Sequence, residues 1–187
     1  MRALYAERSL DVPKDCNVSY SDGKFYFEGP LGKQMYDVAK TGFTFEVDSD
    51  TILIKCWHAK RTKLQLINTI ASHIRNYMKG VTMGFKYVLK CVFRHFPILT
   101  SIEKDGKEIK VHSFIGSKEE RTYPVRGDTV ALLGEEKDTI VLQGTSILDV
   151  SQTAAAVSSD SFKRKKHDER IFLDGIYISE KTSIVVN

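Results

Sequence analysis

The chain repeats itself, and that repetition restricts its fold more than any other feature. The turn Asp22-Gly23-Lys24 returns as Asp105-Gly106-Lys107, 83 residues on. Gly32 has a counterpart in Gly116, 84 residues on, and residues 49–55 are echoed by residues 137–143 at an offset of 88. Three landmarks at nearly constant spacing mark an internal duplication of one supersecondary unit.

Within the first copy the patterning predicts short antiparallel strands. Residues 16–20 and 25–28 flank an Asp-Gly turn, a strong short-range hairpin signal. Gly29-Pro30-Leu31-Gly32 breaks the strand, after which residues 43–47 alternate and residues 51–55 return. A helix is expected over 62–79, where Leu64, Ile67, Ala71, Ile74 and Met78 recur on one face, with Gly80 as its stop. A long strand over 85–96 follows the join, and Pro97 opens the strands of the second copy. There, residues 101–107 and 109–114 repeat the hairpin, and a second helix is expected to be capped by Asp149, with Gln152 three positions on. Its side chains are small (Thr153-Ala154-Ala155-Ala156), so it should lie close to its sheet. Antiparallel strands with one helix per copy give an α+β class: two tandem copies of a small antiparallel β-sheet packed with one helix. The expected divisions are a first repeat at 1–83, a second at 84–162 and a basic extension at 163–187.

A hydrophobic share of 42% over 187 residues is ample for packed cores. The net charge of +4 argues only weakly for a nucleic-acid partner. Its distribution says more, because five of the six cations in residues 151–187 fall between Lys163 and Arg170. Cys16, Cys56 and Cys91 are isolated and odd in number, which argues against a disulfide framework or a zinc ribbon and fits a reducing compartment. The first residues lack an apolar signal region and no apolar run reaches spanning length, so an intracellular chain without a membrane partner is expected.

Motifs for catalysis are missing. Gly29-Pro30-Leu31-Gly32-Lys33 lacks the spacing of a phosphate loop, and Pro30 removes a backbone donor. Cys56 and His58 have no second pair to complete a metal site, and the acids lie in turns or on solvent faces. The expectation is no enzyme, no cofactor and no metal.

Three basic features remain. Lys60, Arg61 and Lys63 stand at the start of the first helix, where each cation opposes the helix dipole at a cost of roughly a few tenths of a kcal/mol. Arg94-His95-Phe96-Pro97 is a weaker cluster at a strand end. The third is the stretch 163–181, which opens with Lys163, Arg164, Lys165, Lys166 and His167. It continues through Arg170 into Leu173-Asp174-Gly175-Ile176-Tyr177 and closes at Lys181. Cations neutralise phosphates, glycine permits close approach and an aromatic can stack, so this combination suits a nucleic-acid contact.

Four motifs together resemble a known family. They are Val12-Pro13 with Glu28-Gly29-Pro30-Leu31-Gly32; the run from Ser72-His73-Ile74-Arg75-Asn76-Tyr77 through Met83-Gly84-Phe85-Lys86-Tyr87; His95-Phe96-Pro97-Ile98; and Arg170 with Phe172-Leu173-Asp174-Gly175-Ile176-Tyr177-Ile178-Ser179-Glu180-Lys181. The chain resembles the eukaryotic and archaeal branch of the large-subunit ribosomal protein uL6 family, called L9 in eukaryotes, over essentially its whole length. It departs from the family pattern at Glu169-Arg170-Ile171-Phe172, where the family has an Ile-Arg-Lys-Phe run. The resemblance implies two tandem sheet-and-helix units and a structural, non-catalytic part of the cytoplasmic 60S subunit. It also implies rRNA binding near the sarcin–ricin region through the second repeat and the extension. Neighbouring ribosomal proteins would flank it, and translational GTPases would dock nearby. The other reading is a protein–protein adaptor that recruits partners through the edges of its duplicated sheets.

Overall fold

A computed structural model of the chain describes residues 3–48, 50–136, 138–163 and 173–185. Two compact units divide it, Met1–Met83 and Gly84–Asn187.

In the first unit, β1 (Ala3–Asp11), β6 (Thr51–Ala59) and β5 (Thr44–Val47) form one antiparallel sheet in that order. Strands β2 (Asn17–Ser21), β3 (Lys24–Gly29) and β4 (Gly32–Asp37) form a second. Helix α1 (Arg61–Thr82) packs on β1, β3, β4 and β6. The β2–β3 hairpin closes on Asp22 and Gly23, both at positive φ, as the Asp-Gly pair predicts. Period-two alternation sends Ile52, Ile54 and Cys56 of β6 inward, where they meet Ile67, Ile70, Ile74 and Met78 of α1. Phe25, Phe27, Tyr77, Tyr36 and His73 continue this core as a run of ring contacts, with Phe27 and Tyr77 stacked at 5.6 Å.

The helix does not stop at Gly80. That glycine is buried inside α1, which continues through Val81 and Thr82. Val81 is fully buried, and the first residue at positive φ is Gly84 (φ 67°), so the left-handed stop stands four residues later than expected.

The second unit reproduces the plan element by element. Strands β7 (Phe85–Val92), β12 (Thr139–Gly144) and β11 (Val130–Leu133) match β1, β6 and β5. Strands β8 (Leu99–Glu103), β9 (Glu108–His112) and β10 (Arg121–Pro124) match β2, β3 and β4, and α2 (Ile147–Lys163) matches α1. The fold class is therefore α+β with tandem sheet-and-helix units, each of which shares its strands between two small sheets. Among the described residues, β13 (Gly175–Thr182) has no counterpart: it pairs antiparallel with the free side of β7, making a four-stranded sheet β11-β12-β7-β13. Ser49 and Lys137, which open the third landmark of the duplication, lie outside the described residues.

Two further boundaries differ from expectation. Strand β7 ends at Val92 rather than reaching residue 96, because its partners run out: Thr139 faces Lys90 and Gly175 faces Val92. Helix α2 starts at Ile147, and Ser146 takes the capping role, its hydroxyl accepting from the Asp149 N–H at 3.4 Å. Ser146-Ile147-Leu148-Asp149 supplies the cap one turn before the expected Asp149–Gln152 pair, since β12 already ends at Gly144. Helix α2 buries Val150, Thr153, Ala154 and Val157, while Ala155 and Ala156 are exposed.

Candidate nucleic-acid interface

The cations expected to meet phosphate fall into two groups, one in each unit. Lys60 is the N-cap residue of α1 in an extended conformation, with no side-chain cap and no acid in the first turn. Lys60 and Arg61 are exposed. No acid stands in this first turn, so the positive helix end and these two cations together favour an anion. Lys63 is committed differently. Its Nζ donates to the Gly42 carbonyl at 3.1 Å and lies 5.6 Å from the Phe43 ring centroid. It ties α1 to the loop before β5 as much as it offers charge.

In the second unit, Lys163 is the last residue of α2, while Arg164, Lys165, Lys166, His167 and Arg170 lie outside the described residues, as do the family departures at Glu169 and Ile171. From Leu173 the chain is described again. Asp174 is half-buried and Gly175 is buried opposite Val92. Tyr177 sits opposite Lys90 and donates from its hydroxyl to the Leu173 carbonyl at 2.5 Å. Ile176 is 1% exposed and belongs to the core. A register shift between Ile178 and Glu180 then turns the end of the strand, and Lys181 lies exposed with its Nζ 5.7 Å from the Tyr87 ring centroid. The sequence places these residues in one stretch, and the fold makes its end, residues 175–181, part of an edge strand held by β7.

One arginine escaped the sequence reading. Arg121 on β10 lays its guanidinium 4.5 Å over the Phe114 ring, and its buried Nε and Nη1 have no acceptor among the described residues. Nothing in the pattern around Arg121 distinguishes it from an ordinary strand cation.

The thiols are packed rather than poised. All three cysteines are free and buried, and burial aided by the Asp138 carboxylate pushes Cys91 up to about 11. A nucleophilic cysteine needs the opposite shift. Burial raises Cys16 as well. Among the described residues, no three His, Cys, Asp or Glu side chains are grouped to hold a metal ion, and no helix is long and apolar enough to cross a membrane. The Gly29–Gly32 turn is no phosphate cradle either: the Leu31 N–H already donates to the Val81 carbonyl at 3.0 Å, and Lys33 pairs with Glu28 at 2.6 Å.

No family model matches the chain. It is, however, similar over nearly its whole length to known proteins. It is 38% identical over 189 residues to large ribosomal subunit protein uL6B of Saccharomyces cerevisiae, covering 99% of this chain and 98% of that protein. It is 34% identical over 184 residues to large ribosomal subunit protein uL6 of Tetrahymena thermophila, covering 97% of each. The protein of the same name from Ignicoccus hospitalis is 35% identical over 183 residues, 95% of each chain. The chain belongs to the uL6 family.

Several of the family motif residues have a physical role within this fold. Of the run that begins at Ser72, Ile74, Met78 and Val81 fill the first core, His73 and Tyr77 stack on Tyr36, and Gly84 turns the chain into β7. In the motif His95-Phe96-Pro97-Ile98, Ile98 is buried while the Phe96 ring stays exposed near Gly116, where a Cβ would meet it at 3.4 Å. The same motifs also leave the cations Arg75, Lys79 and Lys181 exposed.

Proposed function

We propose that this uL6 chain is a structural constituent of the large ribosomal subunit in the cytoplasm and performs no catalysis. The observation that carries this reading is the end-to-end similarity to proteins named large ribosomal subunit protein uL6. Its partners are large-subunit rRNA and neighbouring ribosomal proteins. Its place is near the sarcin–ricin region, beside the docking site of translational GTPases.

Lys163, Arg164, Lys165, Lys166, His167 and Arg170 supply the charge that neutralises phosphates, working with Asp174, Gly175, Tyr177 and Lys181 as a third segment, 163–187. Lys60, Arg61 and Lys63 form a second contact from the first repeat. Folded RNA is held chiefly by shape, phosphate and 2′-hydroxyl contacts, and clustered cations suit that task. The charge chemistry also favours RNA over adaptor recruitment through bare strand edges, because adaptor binding would not need cations clustered at 163–170.

The test is binding of the purified full chain to large-subunit rRNA across a salt series, for the native protein and for a variant with Lys163, Arg164, Lys165, Lys166 and Arg170 changed to Gln. The proposal expects weaker binding and a shallower salt dependence in the variant. Equal affinity at every salt concentration would remove the site from this stretch.

A further inference from the structure

The outer face of the β1-β6-β5 sheet combines exposed aromatic rings with a net negative charge. Helix α1 covers the inner face, where Ile52, Ile54 and Cys56 point. Register places Tyr5, Glu7 and Asp11 of β1 with Lys55 and Trp57 of β6, and Glu46 of β5, on the other face. Trp57 is 61% exposed and Tyr5 39%, and their rings meet at 4.6 Å. Two adjacent exposed aromatic rings on a sheet face are unlike a singly scattered surface apolar residue.

The charge on this face is negative although the chain as a whole carries +4. At these register positions, Lys55 alone is basic, against Glu7, Asp11 and Glu46. Lys55 is already taken, its Nζ lying 2.5 Å from a Glu46 oxygen. Glu7 accepts a hydrogen bond from the Tyr5 hydroxyl, which leaves most of its lone pairs open. Asp48 and Asp50, exposed in the turn joining β5 to β6, add acid at the end of the same sheet.

An RNA backbone would be repelled here. A segment rich in arginine would not: a guanidinium lies flat on an indole, the strongest aromatic partner for a cation, and donates a fork of N–H groups to a carboxylate. We propose that the Tyr5–Trp57 pair, with Glu7, Asp11 and Glu46, forms a docking face for an arginine-rich polypeptide segment of a partner protein. This face therefore separates two kinds of partner on one chain, cations elsewhere for nucleic acid and this acidic aromatic surface for a basic peptide. It has this chemistry whether or not the chain sits in a ribosome, so failure of this test would leave subunit incorporation untouched.

Trp57 is the chain's one tryptophan, so its emission reports on this face alone. The experiment titrates the full chain with a labelled nonaarginine peptide at near-physiological salt, following both Trp57 emission and peptide anisotropy. Saturable binding with a change in Trp57 emission is expected, weakened about fivefold or more by Glu7→Gln with Glu46→Gln. Trp57→Ala with Asp11→Asn, followed by anisotropy, should weaken it as well and serves if the first variant loses its native circular dichroism. Glu119→Gln with Glu135→Gln, exposed acids of the second unit, should leave the affinity unchanged. Peptide binding without a Trp57 response, or affinity indifferent to both face variants, would overturn the proposal. So would a Trp57 response to a single-stranded oligoribonucleotide that persists after Lys60→Gln with Arg61→Gln, which would make the face an RNA platform.

Discussion

The backbone N–H of Leu31 donates to the Val81 carbonyl at 3.0 Å, joining the β3–β4 hairpin to the last turn of α1. The close approach depends on Gly29, where a Cβ would stand 2.6 Å from the Val81 oxygen. The Glu28-Gly29-Pro30-Leu31-Gly32 motif therefore satisfies a helix-end carbonyl. Gly29→Ala must push hairpin and helix apart, and we expect a loss of about 1–3 kcal/mol in the first unit. Urea denaturation followed by Trp57 emission measures it directly, because the reporter lies in that unit.

Lys60 offers a trade between stability and binding. It caps α1 without a side-chain hydrogen bond and places a positive charge at the positive end of the helix dipole. Lys60→Ser should supply the missing cap and stabilise the chain by about 1 kcal/mol. If Lys60 meets RNA as proposed, the same variant binds large-subunit rRNA more weakly. Denaturation and a binding isotherm on one protein preparation read both effects, and a stabilised variant with unchanged affinity would remove Lys60 from the interface.

Burial, aided by the Asp138 carboxylate, pushes the Cys91 thiol from its ordinary 9.0 up to about 11 in the folded chain. Its raised value means that folding favours the protonated thiol. The associated stability is complete below about pH 9 and is lost as pH rises through about 11, up to roughly 2–3 kcal/mol in all. Cys91→Ala should lack this segment of the alkaline stability loss. Chemical denaturation of both proteins from pH 8 to pH 11, by circular dichroism, isolates it as a difference.

Salt dependence quantifies the basic stretch. Each phosphate contact contributes roughly 0.7–0.9 to the slope of log K against log salt. Removing the five cations between Lys163 and Arg170 should therefore lower the slope by up to about 4. A slope unchanged within error would show that these groups face solvent in the complex.

How much of this was legible in the sequence follows from what each residue has to satisfy. The duplication was visible because Asp-Gly turns and alternating apolar residues are local signals, and Asp22-Gly23 closes its hairpin as that signal predicts. The core face of α1 was readable from spacing alone: Ile67, Ala71, Ile74 and Met78 are all buried. Ends were harder. Gly80 looked like a stop, but burial of Val81 carries the helix past it, and which glycine turns left-handed is decided by packing. Ser146 and Asp149 both suit a cap, and the early end of β12 selects Ser146. The place of β13 beside β7 was not legible, since a strand partner some 90 residues distant in the chain leaves no local trace. Lys63 shows the same limit within the candidate site, because its bond to Gly42 is a tertiary contact that a run of cations does not announce.

The central claim is that this chain is an integral part of the large subunit. Sucrose-gradient sedimentation of cell lysate, followed by immunoblotting before and after a high-salt wash, tests it most directly. The account predicts co-migration with large subunits and polysomes that survives the wash. Migration at the top of the gradient in both conditions would contradict it.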